Sequence, residues 1–257
     1  FIDIEYGNNS TGEINNPDKP YQTIDYVVSN INYANKTIKI APGTYTITTE
    51  IINQSYWHFE TGTIINISST GGFKPSAMTS ILINGDGNFM GQTSSRMFEC
   101  LNDNCNIYVN CNTINVGYLC AYIGPDAYNS TININANNQI STDNGNLGIA
   151  YINHTGNGSS EVNIHINTPI IIGYSFFINT LDGSVGDISR MFINANEIYL
   201  AGDGDLYFSG SIDGNTYTTI NCPHIYIYAD QNTQVIYADS AVAASKHIFT
   251  LNGNIIN

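Results

Sequence analysis

Apolar and polar residues alternate with a period of two along most of the chain, and one phrase built on this alternation recurs. The phrase is an apolar residue, any residue, an apolar residue, an asparagine and a small residue, as in Ile132-Asn133-Ile134-Asn135-Ala136. A period of two indicates strands with one inward and one outward side. The repeated asparagines, spaced on average about 28 residues apart, are Asn84, Asn110, Asn135, Asn167, Asn194, Asn221 and Asn252.

A unit of this size cannot bury its apolar side alone, so successive units must stack on one another. Between the asparagine phrases lie second runs with strand character, which would complete each turn. The sequence therefore predicts an all-β fold, a single-stranded parallel β-helix with about 28 residues per turn. The second runs are Tyr118–Ile123, Gly148–Ile152, Tyr174–Ile178, Asp205–Phe208 and Gln234–Ala238.

The repeated asparagine has a structural explanation in such a stack. Short polar side chains tolerate the backbone conformations of sharp bends between strands. Their amides can also hydrogen-bond from one turn to the next, which predicts an asparagine ladder. The residue after each asparagine is small, as a crowded bend requires, and these residues are Gly85, Cys111, Ala136, Thr168, Ala195, Cys222 and Gly253.

The N-terminal part has a different pattern. Apolar residues at positions 24, 27, 28 and 31 form one helix face within Thr23–Ala34, and Thr23 is a suitable N-cap. We expect this helix to cover the open end of the stack and to prevent edge-to-edge association. Residues 1–36 are thus interpreted as an opening segment with a capping helix, and residues 37–257 as the β-helix.

The charge and composition of the chain exclude some classes of binding partner. Seven Lys and Arg stand against 21 Asp and Glu, a net charge of −14, so the basic footprint of a nucleic-acid-binding protein is missing. Apolar runs are too short to insert into a bilayer. The five cysteines, Cys100, Cys105, Cys111, Cys120 and Cys222, show no CxxC spacing and are predicted to be small core residues.

The opening of the chain resembles a known fold family. Gly7-Asn8-Asn9-Ser10-Thr11-Gly12, Pro20-Tyr21-Gln22-Thr23-Ile24, Thr37-Ile38-Lys39-Ile40 and Pro42-Gly43-Thr44-Tyr45 are similar to the start of pectate-lyase-like β-helix domains. The asparagine phrase resembles the ladder of that family. The resemblance implies a right-handed helix and a fold shared by polysaccharide lyases, hydrolases, bacterial adhesins and viral tailspike or fibre proteins. It does not choose among their functions.

The catalytic motifs that the resemblance implies are not found. Lyases of the family carry Arg or Lys as base beside acidic calcium ligands, but no repeated acidic and basic cluster accompanies the cations of this chain. The Asn-Thr-Asp, Asp-Asp, His-Gly and Arg-x-Lys motifs of the hydrolases are also missing. The cations are Lys19, Lys36, Lys39, Lys74, Arg96, Arg190 and Lys246.

One set of ionisable residues would occupy corresponding places in successive turns when the second runs are aligned by their aromatic residues. Carboxylates in adjacent turns would lie ~5 Å apart, a spacing that retaining glycosidases use. The same oxygens would also suit a calcium ion, and Asp before Gly is ordinary turn chemistry, so three interpretations stay open. The set comprises Asp126, His154, Asp182, Asp213 and Asp239.

Outward aromatic residues favour contact with another molecule. Tyrosine offers a large rigid surface with a polar tip, which suits stacking on sugars or packing against another chain. The candidates for ligand binding are Tyr108, Tyr199, Tyr226 and Tyr228.

The sequence as a whole favours a virion-surface or extracellular module, a tailspike-like or fibre-like β-helix that contacts glycans or other virion chains, as a homotrimer. A polysaccharide depolymerase that uses the aspartates is the first alternative, and a bacterial surface adhesin is the second. No cofactor is predicted apart from the calcium alternative. Because the chain opens at Phe1 and stops at Asn257 in mid-pattern, we expect a segment of a longer polypeptide.

Overall fold

The protein is a parallel β-solenoid in the computed structural model, which describes residues 1–142, 148–156, 158–173, 177–181, 186–201, 207–208, 215–228, 237–238 and 246–256. At 177–181, 201, 207–208, 227–228, 237–238 and 246–247 the description covers the backbone alone. All the strand pairs between named strands in this part of the chain are parallel. The predicted all-β stacked fold is therefore confirmed.

One helix and 22 strands make up the described chain. The helix, α1, spans Ile24–Asn30. The strands are β1 Lys36–Ile40, β2 Gly43–Ile47, β3 Glu50–Ile51, β4 Ser55–Phe59, β5 Thr63–Ile67, β6 Gly72–Phe73, β7 Ser80–Gly85, β8 Asn88–Gly91, β9 Arg96–Cys100, β10 Asn106–Val116, β11 Leu119–Ile123, β12 Thr131–Thr142, β13 Ala150–His154, β14 Glu161–Asn167, β15 Ile170–Gly173, β16 Phe177–Leu181, β17 Ile188–Asn194, β18 Glu197–Ala201, β19 Tyr207–Phe208, β20 Asn215–Tyr228, β21 Tyr237–Ala238 and β22 Lys246–Ile256.

Two long sheets run along the stack. The first contains the asparagine phrases and has 14 strands, among them the series β1-β4-β7-β10-β12-β14-β17-β20. The second has six strands in the order β16-β13-β11-β9-β6-β3 and contains three of the predicted second runs, in β11, β13 and β16. The remaining two second runs supply β19 and β21, which pair with each other. Each turn therefore contributes strands to both sides of the stack.

The core lies between the sheets, where the inward residue of each strand meets its equivalents in the turns above and below. Isoleucine dominates these columns, as in Ile107, Ile132 and Ile164, which share one register and are buried. At the N-terminal end two inward residues of β4 are aromatic, and the rings of Trp57 and Phe59 stack with centroids 6.4 Å apart. β-branched and aromatic side chains suit such half-buried pleated surfaces.

The predicted capping helix is present but shorter than predicted. Thr23 accepts a hydrogen bond from the Tyr26 backbone N–H, as an N-cap does, and Ile31 already has extended backbone. The helix buries Ile24 and Val27 in the core. Asp25 joins it to the solenoid by accepting hydrogen bonds from Thr48 and Thr49.

The five cysteines are free thiols and all are buried, which confirms their prediction as core residues. Burial raises the pKa of the Cys111 thiol to about 12, so this thiol stays protonated at neutral pH. No helix in the described part of the chain is both long and apolar enough to cross a membrane.

Candidate functional site

The asparagines of the repeat form a continuous hydrogen-bonded row along the outside of the first sheet. In each step the side-chain amide Nδ2 donates to the Oδ1 of the asparagine one turn earlier. The five bonds are Asn135 to Asn110 at 2.9 Å, Asn167 to Asn135 at 2.8 Å, Asn194 to Asn167 at 2.6 Å, Asn221 to Asn194 at 2.6 Å and Asn252 to Asn221 at 2.7 Å. All five bonds point in the same direction, so each polarises the next.

The first asparagine of the repeat has a different partner. Asn84 aligns with His58 of the preceding turn, and its Nδ2 lies 3.4 Å from the hydroxyl of Tyr56. The row of amide bonds therefore begins at Asn110. We refer to the six residues from Asn110 to Asn252 as the asparagine ladder.

The ladder lies in the floor of a groove on the outer surface of the protein. The groove has a volume of about 700 Å³ and follows the turns from Asn135 to Asn252. Five turns at a strand spacing of ~4.8 Å make it about 19 Å long. Its other lining residues follow the ladder in each turn and are Ala136, Asn137, Thr168, Pro169, Ala195, Asn196, Cys222 and Pro223.

The small residue after each asparagine allows the chain to bend at the groove. At Gly253 an added Cβ would lie 1.7 Å from the backbone carbonyl oxygen of Cys222, so the last described turn leaves no space for a side chain there. Ala136 and Ala195 point inward and are buried under the floor. The groove follows this bend on the outer surface.

Stacked aromatic side chains flank the ladder on the strands before and after it. On one side His165 and Phe192, two residues before the ladder, stack with centroids 4.8 Å apart. On the other side Tyr199 and Tyr226 stack with centroids 4.8 Å apart and planes within 10°. The Tyr199 hydroxyl donates to Oε2 of Glu197 at 2.6 Å, which fixes the ring position.

The groove offers hydrogen-bonding groups without charge on its floor. An asparagine amide has two N–H donors and two acceptor lone pairs, and a ladder residue uses one of each for its neighbours. Each inner residue, such as Asn167 or Asn194, retains one donor and one acceptor for another partner. Repeated neutral donors and acceptors, flanked by stacked aromatic rings, can bind a polyhydroxylated chain that lies along the groove.

Two of the four tyrosines predicted for ligand binding come together. Tyr199 and Tyr226 stack on the strands that follow the ladder. Tyr108 is 41% exposed and aligns with Leu82 and Asn133, so it lies in a turn before the groove begins. The backbone of Tyr228 at the end of β20 pairs with Ala201 at the end of β18. The side chain of Tyr228 lies outside the described residues.

The predicted row of ionisable residues is described at its first two members. The register aligns Ile123 with Ile152, and Thr155 donates to the Pro125 carbonyl. Asp126 is exposed, whereas His154 is fully buried. The remaining members, Asp182, Asp213 and Asp239, lie outside the described residues.

His154 belongs to a buried polar network that connects two turns. The Ser160 hydroxyl donates to Oδ1 of Asp187 at 2.7 Å, so the His154 Nε2, 2.6 Å from the same hydroxyl, is assigned as the donor. Its Nδ1 has no partner of good hydrogen-bond geometry among the described residues. Asp187 also accepts from the Gly158 and Ser160 backbone N–H groups. This network orders the loop before β14.

Two histidines predict how stability responds to pH. Burial lowers the pKa of His154, partly opposed by Asp187, and burial together with Arg190 lowers the pKa of His165. A lowered histidine pKa means that the unfolded chain binds protons first as the pH falls. Stability is therefore complete above the unfolded value of about 6.5 and should decrease below it.

We expect the urea concentration at the unfolding midpoint to decrease when the pH is lowered from 7.5 to 5.5. The decrease should be smaller in His154→Gln. The lowered carboxyl pKa values of Asp25 and Glu161 act only at lower pH, below the ordinary carboxyl range. A midpoint that is constant or rises over this interval would contradict the prediction.

A group of charges that the sequence did not connect lies on the second sheet. Lys74 Nζ contacts Glu50 Oε1 at 2.8 Å and Glu99 Oε2 at 3.3 Å, while Arg96 Nη1 contacts Glu99 Oε1 at 2.7 Å. The Arg96 guanidinium also lies 4.3 Å above the ring of Tyr122. We call Glu50, Lys74, Arg96 and Glu99 the charge cluster. Its one sequence signal is the Arg96–Glu99 spacing of three residues.

Metal binding has no support in the described residues, where no three His, Cys, Asp or Glu side chains converge on a point that could hold an ion. The aspartates of the calcium alternative lie mostly beyond these residues, so that alternative stays a prediction.

Comparison with known proteins identifies no family for this chain: no protein-family model, curated protein or solved structure matches it.

Proposed function

We propose that this β-solenoid is a glycan-binding surface module, of the virion-surface or extracellular kind, that holds an extended neutral glycan along the asparagine ladder. The observation that carries the proposal is the row of neutral amides along the groove, which two stacked aromatic pairs flank on the adjoining strands. Sugar rings have apolar faces for aromatic contacts and hydroxyls for amides. The resemblance of the chain opening to pectate-lyase-like domains is compatible with this function, and it is equally compatible with the other functions of that fold.

Charge supports a neutral ligand. The chain carries a net charge of −14, so an acidic polymer would meet long-range repulsion. Near the groove Arg190 is neutralised by its ion pair with Glu161, and Glu197 accepts from Tyr199. The neutral amides of the floor then carry the recognition.

The test uses the paired tyrosines. We expect the double variant Tyr199→Ala/Tyr226→Ala to weaken binding of the selected glycan about tenfold, because each aromatic contact contributes about 0.5–1.5 kcal/mol. The glycan is first selected on an array of neutral oligosaccharides, and affinity is measured by calorimetry. Tyr108→Ala is the matched control, because this exposed tyrosine lies in a turn that precedes the groove. The affinity of this variant for the glycan should equal that of the wild type. Equal weakening by both variants would contradict the location of the site.

The same preparation tests the alternatives. New reducing ends or unsaturated products from any polysaccharide would replace the binding function by a depolymerase. Sedimentation tests whether the protein is a homotrimer. In a trimer, Tyr199 and Tyr226 could contact another chain instead of a glycan. A trimer that dissociates in Tyr199→Ala/Tyr226→Ala would assign these rings to the assembly and overturn the glycan proposal.

A further inference from the structure

We propose a second ligand site, separate from the groove, in which Arg96 and Lys74 bind one oxyanion group of a small polar ligand such as a sugar acid. The site is a depression of about 540 Å³ on the side of the second sheet. Its lining comprises Ser69, Lys74, Ser94, Arg96, Glu99 and Tyr118, with Leu101 at the edge. These residues belong to turns that precede the groove, so the inference does not depend on the proposed function.

The charge of this depression differs from that of the chain. Only seven Lys and Arg occur against 21 Asp and Glu, yet two of the seven line this surface with a single carboxylate. Glu50, the other acidic partner of Lys74, does not line it and its side chain is 52% exposed. Two cations and one carboxylate thus line the depression, and Glu50 balances the charge of the four-residue cluster from outside the lining.

Glu99 holds the two cations in place. Its side chain is 3% exposed, and each of its carboxylate oxygens contacts a different cation. The Arg96 guanidinium is held from a third side by the Tyr122 ring. A site whose donors are fixed before binding loses little entropy when the ligand arrives.

Most of the donor groups remain available to a ligand. Arg96 uses Nη1 for Glu99, so its other donors make no hydrogen bond within the described part of the chain, and its side chain is 37% exposed. Lys74 has three N–H groups and two carboxylate contacts. Ser94 has a left-handed backbone, with φ of 75°, at the exposed rim.

This inventory identifies the ligand class. A surface that offers guanidinium, ammonium and hydroxyl donors, and whose one carboxylate already contacts both cations, favours an acceptor-rich ligand. A guanidinium pairs with carboxylate, sulfate or phosphate through two parallel hydrogen bonds. The Tyr118 ring at the same surface offers an apolar face for the body of the ligand.

The experiment is an NMR titration of the wild-type protein with glucuronate, glucose 6-sulfate, glucose 6-phosphate and glucose. We expect the amide signals of residues around Arg96 to shift with at least one of the three anions and to remain unchanged with glucose. The anion with the highest affinity identifies the group. Shifts that are equal for glucose and for the anions, or no shifts at all, would overturn the proposal.

Substitutions assign the effect to Arg96. Arg96→Lys keeps the ion pair with Glu99 but loses the planar fork, so we expect about tenfold weaker binding in a folded protein. Arg190→Lys is the matched control, because Arg190 also pairs with a glutamate and lies 5.5 Å from a tyrosine ring, that of Tyr217, but outside this depression. An equal loss of affinity in both variants would overturn the proposal, and an intact groove affinity in both would leave the proposed function unaffected.

Discussion

Replacing Phe89 by alanine is expected to lower the free energy of unfolding by about 4 kcal/mol, the central range for removing a buried aromatic side chain. Phe89 is fully buried, and its ring centroid lies 5.3 Å from Phe59, 6.1 Å from Phe73 and 5.8 Å from Phe98. The four rings come from two successive turns, with Phe59 and Phe73 in one and Phe89 and Phe98 in the next. Removing the Phe89 ring would leave a cavity that the neighbouring strands, fixed by backbone hydrogen bonds, cannot fill.

Urea denaturation measures this effect, with Met90→Ala as the control. Met90 is the next residue in the same strand but faces outward and is 42% exposed, so its loss should change the free energy by less than about 0.5 kcal/mol. Similar losses in the two variants would contradict the inward and outward assignment of β8. A small loss in Phe89→Ala alone would show that the aromatic column repacks.

The second large effect is expected at the charge cluster. Glu99→Gln should lower the free energy of unfolding by about 3 kcal/mol, because Lys74 and Arg96 would lose the buried carboxylate that neutralises them. The value lies at the lower end for buried ion pairs, since the Arg96 side chain is 37% exposed and keeps part of its hydration.

Glu50→Gln provides the comparison for this variant. Glu50 contacts the same ammonium group as Glu99 but its side chain is 52% exposed, so its loss should cost no more than about 1 kcal/mol. Denaturation at two salt concentrations would separate the contributions, because an exposed pair is screened and a buried pair is not. Equal costs for both variants would show that burial does not set the strength of these contacts.

The two experiments examine different consequences of the same architecture. In a parallel stack, residues of one register form columns along the protein. An inward column such as that of Phe89 supplies cohesion between turns. An outward column can bring aromatic or amide groups together, and the ladder and the two stacked aromatic pairs are formed in this way.

The asparagine ladder shows how far local pattern can predict such a column. The phrase around Asn135 and Asn167 predicts both a strand and the bend that follows it. Its repetition predicts that equivalent residues stack. The structure contains the amide bonds from Asn110 to Asn252, and Asn84 turns instead to Tyr56. The phrase is the same at Asn84, so its sequence gave no sign of this different contact.

The buried network shows where pattern was insufficient. Alignment by aromatic residues placed His154 at the same edge as Asp126, but the structure turns the imidazole inward to Ser160. His154 is the last residue of β13, whose alternation buries Ala150, Ile152 and His154. The alignment by aromatic residues did not use this alternation. The partner of the buried imidazole, Ser160, depends on the path of the chain into the next strand, which local sequence does not encode.

The sequence by itself determined the period of the stack, the inward and outward sides of its strands and the small residues at the bend, because each depends on neighbours close along the chain. The tertiary structure decided which outward residues meet. Successive ladder residues are separated by 25 to 32 positions, so the loops absorb different lengths and chain separation does not give spatial register. Backbone hydrogen bonds between turns set that register. The register in turn places the groove and the stacked aromatic pairs, and it brings Lys74 to Glu99.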